Sequence, residues 1–166
     1  MPLGEPTVCG PVSAIIIATV PVNGRIAEHR QRDSVADTKL TGVRVMVIDD
    51  SNTIRRSAEI FLMQAGCQVI LADNGFDALA KIADHQPDLI FVDIMMPRLD
   101  GYQTCALIKK SGKHRATPVI MLSSKDSLFD RARCRMVGSD EYLTKPFTKE
   151  SLLRAVDSHL AQRSHA

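Results

Sequence analysis

The chain has 166 residues, 45% hydrophobic and 24% charged, enough for one domain with a buried core and too short for two of ordinary size. Its 21 basic and 19 acidic residues leave a net charge of +2, so bulk charge drives binding to neither nucleic acid nor an anionic membrane. The uncharged stretch at residues 7–24 is broken by Pro11 and Pro21 and followed rather than led by the first basic residue, Arg25, which fits neither a membrane span nor a secretory signal; a cytoplasmic location is expected.

Residues 1–41 are irregular, with an apolar run at 12–20 and a polar stretch at 25–39. They form an N-terminal extension for which three readings stay open: a disordered arm, an extra strand from 15–20 offered to a sheet edge or partner, or a start site placed too far upstream. Loose order is the favoured one. From residue 43 the character changes. Short apolar runs at 43–48, 68–72, 89–92, 119–122 and 141–144 alternate with amphipathic segments, the rhythm of β-α units. The first four runs are continuously apolar, as buried parallel strands are, and unlike edge ribbons facing water.

Between the runs, apolar residues recur at helical spacing: Ile54, Ala58, Phe61, Leu62 and Ala65; then Phe76, Leu79, Ile82 and Ala83; then Cys105, Leu107 and Ile108; then Leu128, Ala132 and Met136; finally Leu152, Leu153, Val156 and Leu160. Met46, Met63, Met121 and Met136 read as core filling. Cys9, Cys67, Cys105 and Cys134 are widely separated and lack a CxxC, so they read as reduced, mostly buried small hydrophobes. Arg131, Arg133 and Arg135 read as a solvated helix flank. The predicted fold is α/β, a doubly wound five-stranded parallel sheet over residues 42–166 with helices on both faces, whose ligands bind beyond the carboxyl ends of the strands. The last helical segment runs to the end of the sequence, so no separate output domain is expected.

The chemistry-bearing residues fall at those ends. The first run ends in Asp49-Asp50, the third in Asp93 and the fourth in Ser123-Ser124, and the fifth is followed by Lys145-Pro146. In a sheet ordered 2-1-3-4-5, strands 1 and 3 are neighbours, which gathers Asp49, Asp50 and Asp93. Three carboxylates so close repel one another unless a cation lies among them, and hard oxygen ligands that leave room for phosphate favour Mg²⁺. A lysine and a hydroxyl opposite them suit a phosphoryl group. The pocket is thus expected to serve phosphoryl transfer to a carboxylate.

Val-Met-Val-Ile-Asp-Asp-Ser, Phe-Val-Asp-Ile-Met-Met-Pro-Arg-Leu-Asp-Gly, Pro-Val-Ile-Met-Leu-Ser-Ser and Tyr-Leu-Thr-Lys-Pro-Phe resemble, in order and spacing, the motifs of response-regulator receiver domains over about residues 42–161. The resemblance implies the flavodoxin/CheY-like fold with strand order 2-1-3-4-5. It implies that Asp93 accepts a phosphoryl group from a CheA-like histidine kinase. Asp50 and Asp93, with the Met95 carbonyl, would ligate Mg²⁺, and Asp49 would act through water. Lys145 and Ser123 would bind phosphoryl oxygens. Ser123 and Tyr142 would form the switch, and the Lys145-Pro146 bond would be cis. Output would be a change on the face made by the fourth and fifth helices and fifth strand. Within the family, the segments around residues 75–84 and 96–109 resemble receivers of type IV pilus twitching-motility circuits, implying a downstream pilus or motility protein, and a monomer or phosphorylation-dependent dimer.

The resemblance also points to Met95 and Lys125 as positions that tune self-dephosphorylation; a thioether at Met95 positions attacking water poorly, so slow loss of phosphate is expected. Beyond its own phosphorylation and dephosphorylation no enzymatic activity is expected. The main competing reading is a phosphorelay intermediate or phosphate sink. A phosphatase or flavin protein on the same fold is more distant, because Asp93-Ile94-Met95 lacks a second aspartate and Asp50-Ser51-Asn52-Thr53 matches a flavodoxin phosphate loop poorly. The five scattered histidines argue against a phosphotransfer histidine.

Overall fold

All five predicted strands form. They are β1 (Arg44–Ile48), β2 (Gln68–Ala72), β3 (Leu89–Asp93), β4 (Val119–Ser123) and β5 (Glu141–Thr144), and they alternate with α1 (Asn52–Gln64), α2 (Gly75–His85), α3 (Gly101–Lys110), α4 (Leu128–Met136) and α5 (Lys149–Ser164). This computed structural model describes residues 40–164; the expectations for the N-terminal extension up to residue 39, including the run at 12–20 and Cys9, lie outside the described residues. β1 starts one residue later than expected, whereas β3 and β4 each run one residue further and take Asp93 and Ser123 into the sheet.

The sheet is parallel throughout, in the order β2-β1-β3-β4-β5. Side chains alternate across a strand, so each central strand feeds two cores. Met46, Ile48, Ile90, Val92, Val119 and Met121 meet α2, α3 and α4 through Ala78, Ile82, Tyr102, Cys105 and Cys134. On the other face Val45, Val47, Phe91, Ile120 and Leu122 meet α1 and α5 through Ala58, Leu62, Leu152 and Val156. A fully buried side chain such as Phe91 contributes about 1.5–3 kcal/mol relative to exposure.

Several burial expectations are corrected. β2 is an edge strand: Gln68 is exposed and Val69, Ile70 and Leu71 are half-buried, because only one neighbour flanks it. Met63, Phe76, Ala83 and Leu107 are exposed, and the α4 stripe faces outward, with Leu128 88% and Met136 86% exposed and Ala132 also exposed. The single buried residue of α4 is Cys134. Cys67, Cys105 and Cys134 are buried free thiols; burial raises Cys67 to about 11 and Cys105 to about 12, so both stay protonated and inert.

Candidate functional site

Parallel register assembles the site. Ile48 pairs with Val92, so Asp49 and Asp93 leave adjacent strands side by side. Asp93 pairs with Leu122, and Ser123 follows it; Ser123 pairs with Thr144, and Lys145 follows that. The loops beyond these ends run into helices with polar caps. Ser51, Asn74, Asp100 and Ser127 each accept a hydrogen bond from a backbone N–H in the first turn of α1, α2, α3 and α4, satisfying donors the helix leaves free. At Asp100 a full capping box forms with Gln103. Gly101 then packs directly on the end of β3: a Cβ there would stand 2.2 Å from the Asp93 carbonyl oxygen.

Asp49 is fully buried, Asp93 is 4% exposed and Asp50 is exposed, with carboxylate oxygens of all three within 4.8 Å of one another. Lys145 bridges the two buried members, its Nζ 2.5 Å from Asp49 Oδ2 and 2.9 Å from Asp93 Oδ1. The other Asp49 oxygen accepts the Ser51 N–H at 2.8 Å. Burial raises the Asp93 carboxyl above its ordinary value, and the Asp49 charge adds to this; the Lys145 hydrogen bond and charge and the Met95 N–H oppose it without cancelling it. For Lys145 burial favours the neutral amine, but hydrogen bonds and charges from Asp49 and Asp93 outweigh it and hold the ammonium above the usual lysine range. One ammonium among three carboxylates leaves negative charge uncompensated. The donor set therefore fits a hard divalent cation reached from the exposed Asp50 side, where a cleft of about 470 Å³ opens between Asp50, Met95, Pro97, Tyr102 and Arg133.

Ser123 is buried, and its hydroxyl donates to the Lys125 carbonyl at 3.0 Å while accepting the Lys125 N–H at 3.1 Å. The Tyr142 hydroxyl donates to the same carbonyl. Arg131 lies 5.0 Å from the Tyr142 ring centroid and pairs with Asp126. The Lys145-Pro146 bond is cis. Met95, 67% exposed, lines the cleft, and Lys125 is exposed just beyond the end of β4. Thus Asp49, Asp50, Asp93 and Lys145 converge directly, whereas Ser123 and Tyr142 are joined to each other through Lys125.

Two groups escaped the sequence reading. Arg55 donates from Nη1 to the Asp49 carbonyl at 2.6 Å. Tyr102 of α3, buried, donates to Asp130 at 3.1 Å and carries the Arg133 guanidinium 4.3 Å from its ring centroid, fastening α3 to α4. Arg131 and Arg133 are thus engaged rather than simply solvated. The placement of Arg55 on the first turn of α1, just beyond Asp49, was the available signal for the first; nothing in the spacing marked the second.

The family model of the response regulator receiver domain matches residues 45–157. Protein PilG of Pseudomonas aeruginosa is 69% identical over 119 residues, 72% of this chain and 88% of that protein. The response regulator MprA of Mycobacterium sp. strain KMS is 38% identical over 122 residues, 74% of this chain, which spans about half (52%) of that relative. Among solved structures, the chemotaxis protein CheY4 of Vibrio cholerae superposes with a TM-score of 0.69 at 30% identity, covering 71% of this chain and 98% of its own. With the sheet order and the strand-end carboxylates already in place, the chain belongs to the response-regulator receiver family.

Proposed function

We propose that this chain is a phosphorylation-switched receiver in which Asp93 is the phosphoryl acceptor. The observation that carries the reading is the Lys145 ammonium held between Asp49 and Asp93 at the carboxyl edge of a receiver sheet. In the reaction a donor histidine kinase of the CheA type presents a phosphohistidine; the N–P bond breaks as a carboxylate oxygen of Asp93 forms the new O–P bond. Asp50, Asp93 and the Met95 carbonyl would hold Mg²⁺, with Asp49 acting through water. The ion, when bound, neutralises charge on the transferring phosphoryl oxygens.

The chain's own residues do the rest. Lys145 balances one phosphoryl oxygen as a point charge, and Ser123 rotates off Lys125 to donate to another. That rotation vacates space that Tyr142 can fill and reshapes the α4-β5-α5 face; on α4 itself Leu128, Phe129 and Met136 stand exposed. The output is protein binding, in a type IV pilus or chemotaxis-like circuit, a placement supported by the identity to Protein PilG. In this reading residues 42–166 are the receiver and 1–41 its extension, and the protein is cytoplasmic; among the described residues no helix is long and apolar enough to cross a membrane.

The test is intact mass after incubation with Mg²⁺ and a small-molecule phosphodonor. Wild type gains one phosphoryl group and Asp93→Ala gains none; equal modification of both overturns the assignment. Following label back to a histidine phosphotransfer domain separates a relay from a switch.

A further inference from the structure

We propose that Arg55 is a positioning residue of the acidic site, clamping the peptide that joins Asp49 to Asp50 and so setting where the Asp50 carboxylate stands relative to Asp93. β1 ends at Ile48, and the Asp49 N–H still bonds the Ala72 carbonyl at 3.2 Å. The Asp49 carbonyl is instead taken by Arg55 Nη1 at 2.6 Å, a short charge-assisted contact. The guanidinium is itself oriented, its Nη2 donating to Asn52 Oδ1 at 3.4 Å, and the Arg55 backbone N–H bonds the Ser51 carbonyl at 3.0 Å within α1.

The two aspartates thereby differ in how they are held. The Asp49 side chain is fixed directly, by Ser51 N–H and by Lys145. The exposed Asp50 depends on its backbone, and the peptide plane preceding it is fixed by Arg55. A cation in the first turn of a helix opposes the helix dipole, and α1 carries no acidic residue there. The placement is explained by what the guanidinium reaches rather than by helix stability. Arg56, one residue on, is exposed and pairs with Glu59 instead.

The inference rests on the reading that the three carboxylates hold Mg²⁺, and its sign distinguishes it from simple electrostatics. If Arg55 contributes only charge, removing a cation beside three carboxylates strengthens Mg²⁺ binding. If it positions Asp50, removal weakens binding despite the lost repulsion. Calorimetric titration of Mg²⁺ into the full chain is expected to show roughly tenfold weaker affinity for Arg55→Gln, the scale typical of lost outer support in metal sites. Arg55→Lys, which keeps one donor, recovers part of the loss, and Arg56→Gln, which removes equal charge from the same turn, shows none. Affinity of Arg55→Gln equal to or above wild type overturns the proposal.

Amide hydrogen exchange of the metal-free proteins supplies an independent arm. Residues 49–51 exchange faster in Arg55→Gln while the remainder of α1 and the sheet are unchanged; unaltered exchange at 49–51 also overturns it. Should wild type bind no Mg²⁺, the metal reading fails on its own and the exchange arm still decides the clamp.

Discussion

Ser123 and Tyr142 share one acceptor: both hydroxyls donate to the carbonyl oxygen of Lys125. The strand-end residue next to the acidic cluster and the tyrosine of β5 are therefore joined by a single peptide group, and movement of one hydroxyl alters what the other meets. Tyr142→Phe keeps the ring under Arg131 and removes one donor, an expected cost of about 0.5–1.5 kcal/mol. Amide exchange across residues 124–127 should quicken while phosphorylation by a small-molecule donor is unchanged. Ser123→Ala should slow that phosphorylation, because it also deletes the hydroxyl offered to the phosphoryl oxygen.

The raised Asp93 carboxyl makes stability pH-dependent. Burial, its largest cause, means the folded protein holds the proton more tightly than the unfolded chain does. Without divalent cation, stability therefore falls as pH rises from the ordinary carboxylate value, about 4, through the folded one. Asp93→Asn, which cannot ionise, should be more stable than wild type at pH 7 in chelator, and the gain should vanish at pH 3. Urea midpoints at both pH values check this.

Lys145 has the opposite linkage. Its folded value is raised by Asp49 and Asp93 against the pull of burial, so its stabilising contribution is fully present below the unfolded lysine value, about 10.4, and is lost as pH climbs through the folded one. Lys145→Met strands the buried Asp49 and Asp93 carboxylates and is expected to cost about 3 kcal/mol at pH 7 in chelator. Equilibrium unfolding measures it, and saturating Mg²⁺ should restore part of the loss.

Gly101 leaves no room for a side chain. An added Cβ would meet the Asp93 carbonyl oxygen at 2.2 Å and Ile94 Cα at 2.7 Å, both backbone. Gly101→Ala should destabilise by about 1–3 kcal/mol or more and slow phosphorylation by displacing Asp93. Gly112→Ala, with nothing within 4 Å, is the neutral comparison. Thermal unfolding and phosphorylation rates of the two variants make the contrast.

Met95 stands exposed beside the pocket, and its thioether holds water weakly. Met95→Asn supplies an amide that can orient an attacking water, and is expected to shorten the lifetime of the phosphorylated protein several-fold, by analogy with gains of about tenfold per 1.4 kcal/mol of barrier. Phosphoryl loss followed by intact mass after donor removal measures it.

The sheet was legible in the sequence because a parallel strand buried on both faces leaves an uninterrupted apolar run, and the site because its residues follow those runs directly. Strand ends were less so: the apolar pattern stops at Val92 and Leu122, yet Asp93 and Ser123 continue the ladder through their backbones. The helix faces misled where an apolar stripe faces outward. Leu128, Ala132 and Met136 repeat at helical spacing as a core stripe would, and periodicity carries no information on whether a protein core or a partner covers them. The expected full burial of β2 was misread for a related reason, since Val69, Ile70 and Leu71 are as apolar as a central strand but have one neighbour only. The Tyr102 contact with Asp130 depends on side-chain reach between two separate helices, which no linear spacing encodes, whereas the Arg55 contact is local and its position just beyond Asp49 was the available signal.

The central claim, that Asp93 receives the phosphoryl group, is tested most directly by trapping the product. The full chain is phosphorylated with a small-molecule donor and Mg²⁺, reduced with borohydride, which converts an aspartyl phosphate to homoserine, and mapped by peptide mass spectrometry. The account predicts homoserine at position 93 and at no other, and none when Mg²⁺ is replaced by chelator. Homoserine at Asp49 or Asp50 with Asp93 intact, or a stable phosphoryl group on a hydroxyl or histidine, would contradict it.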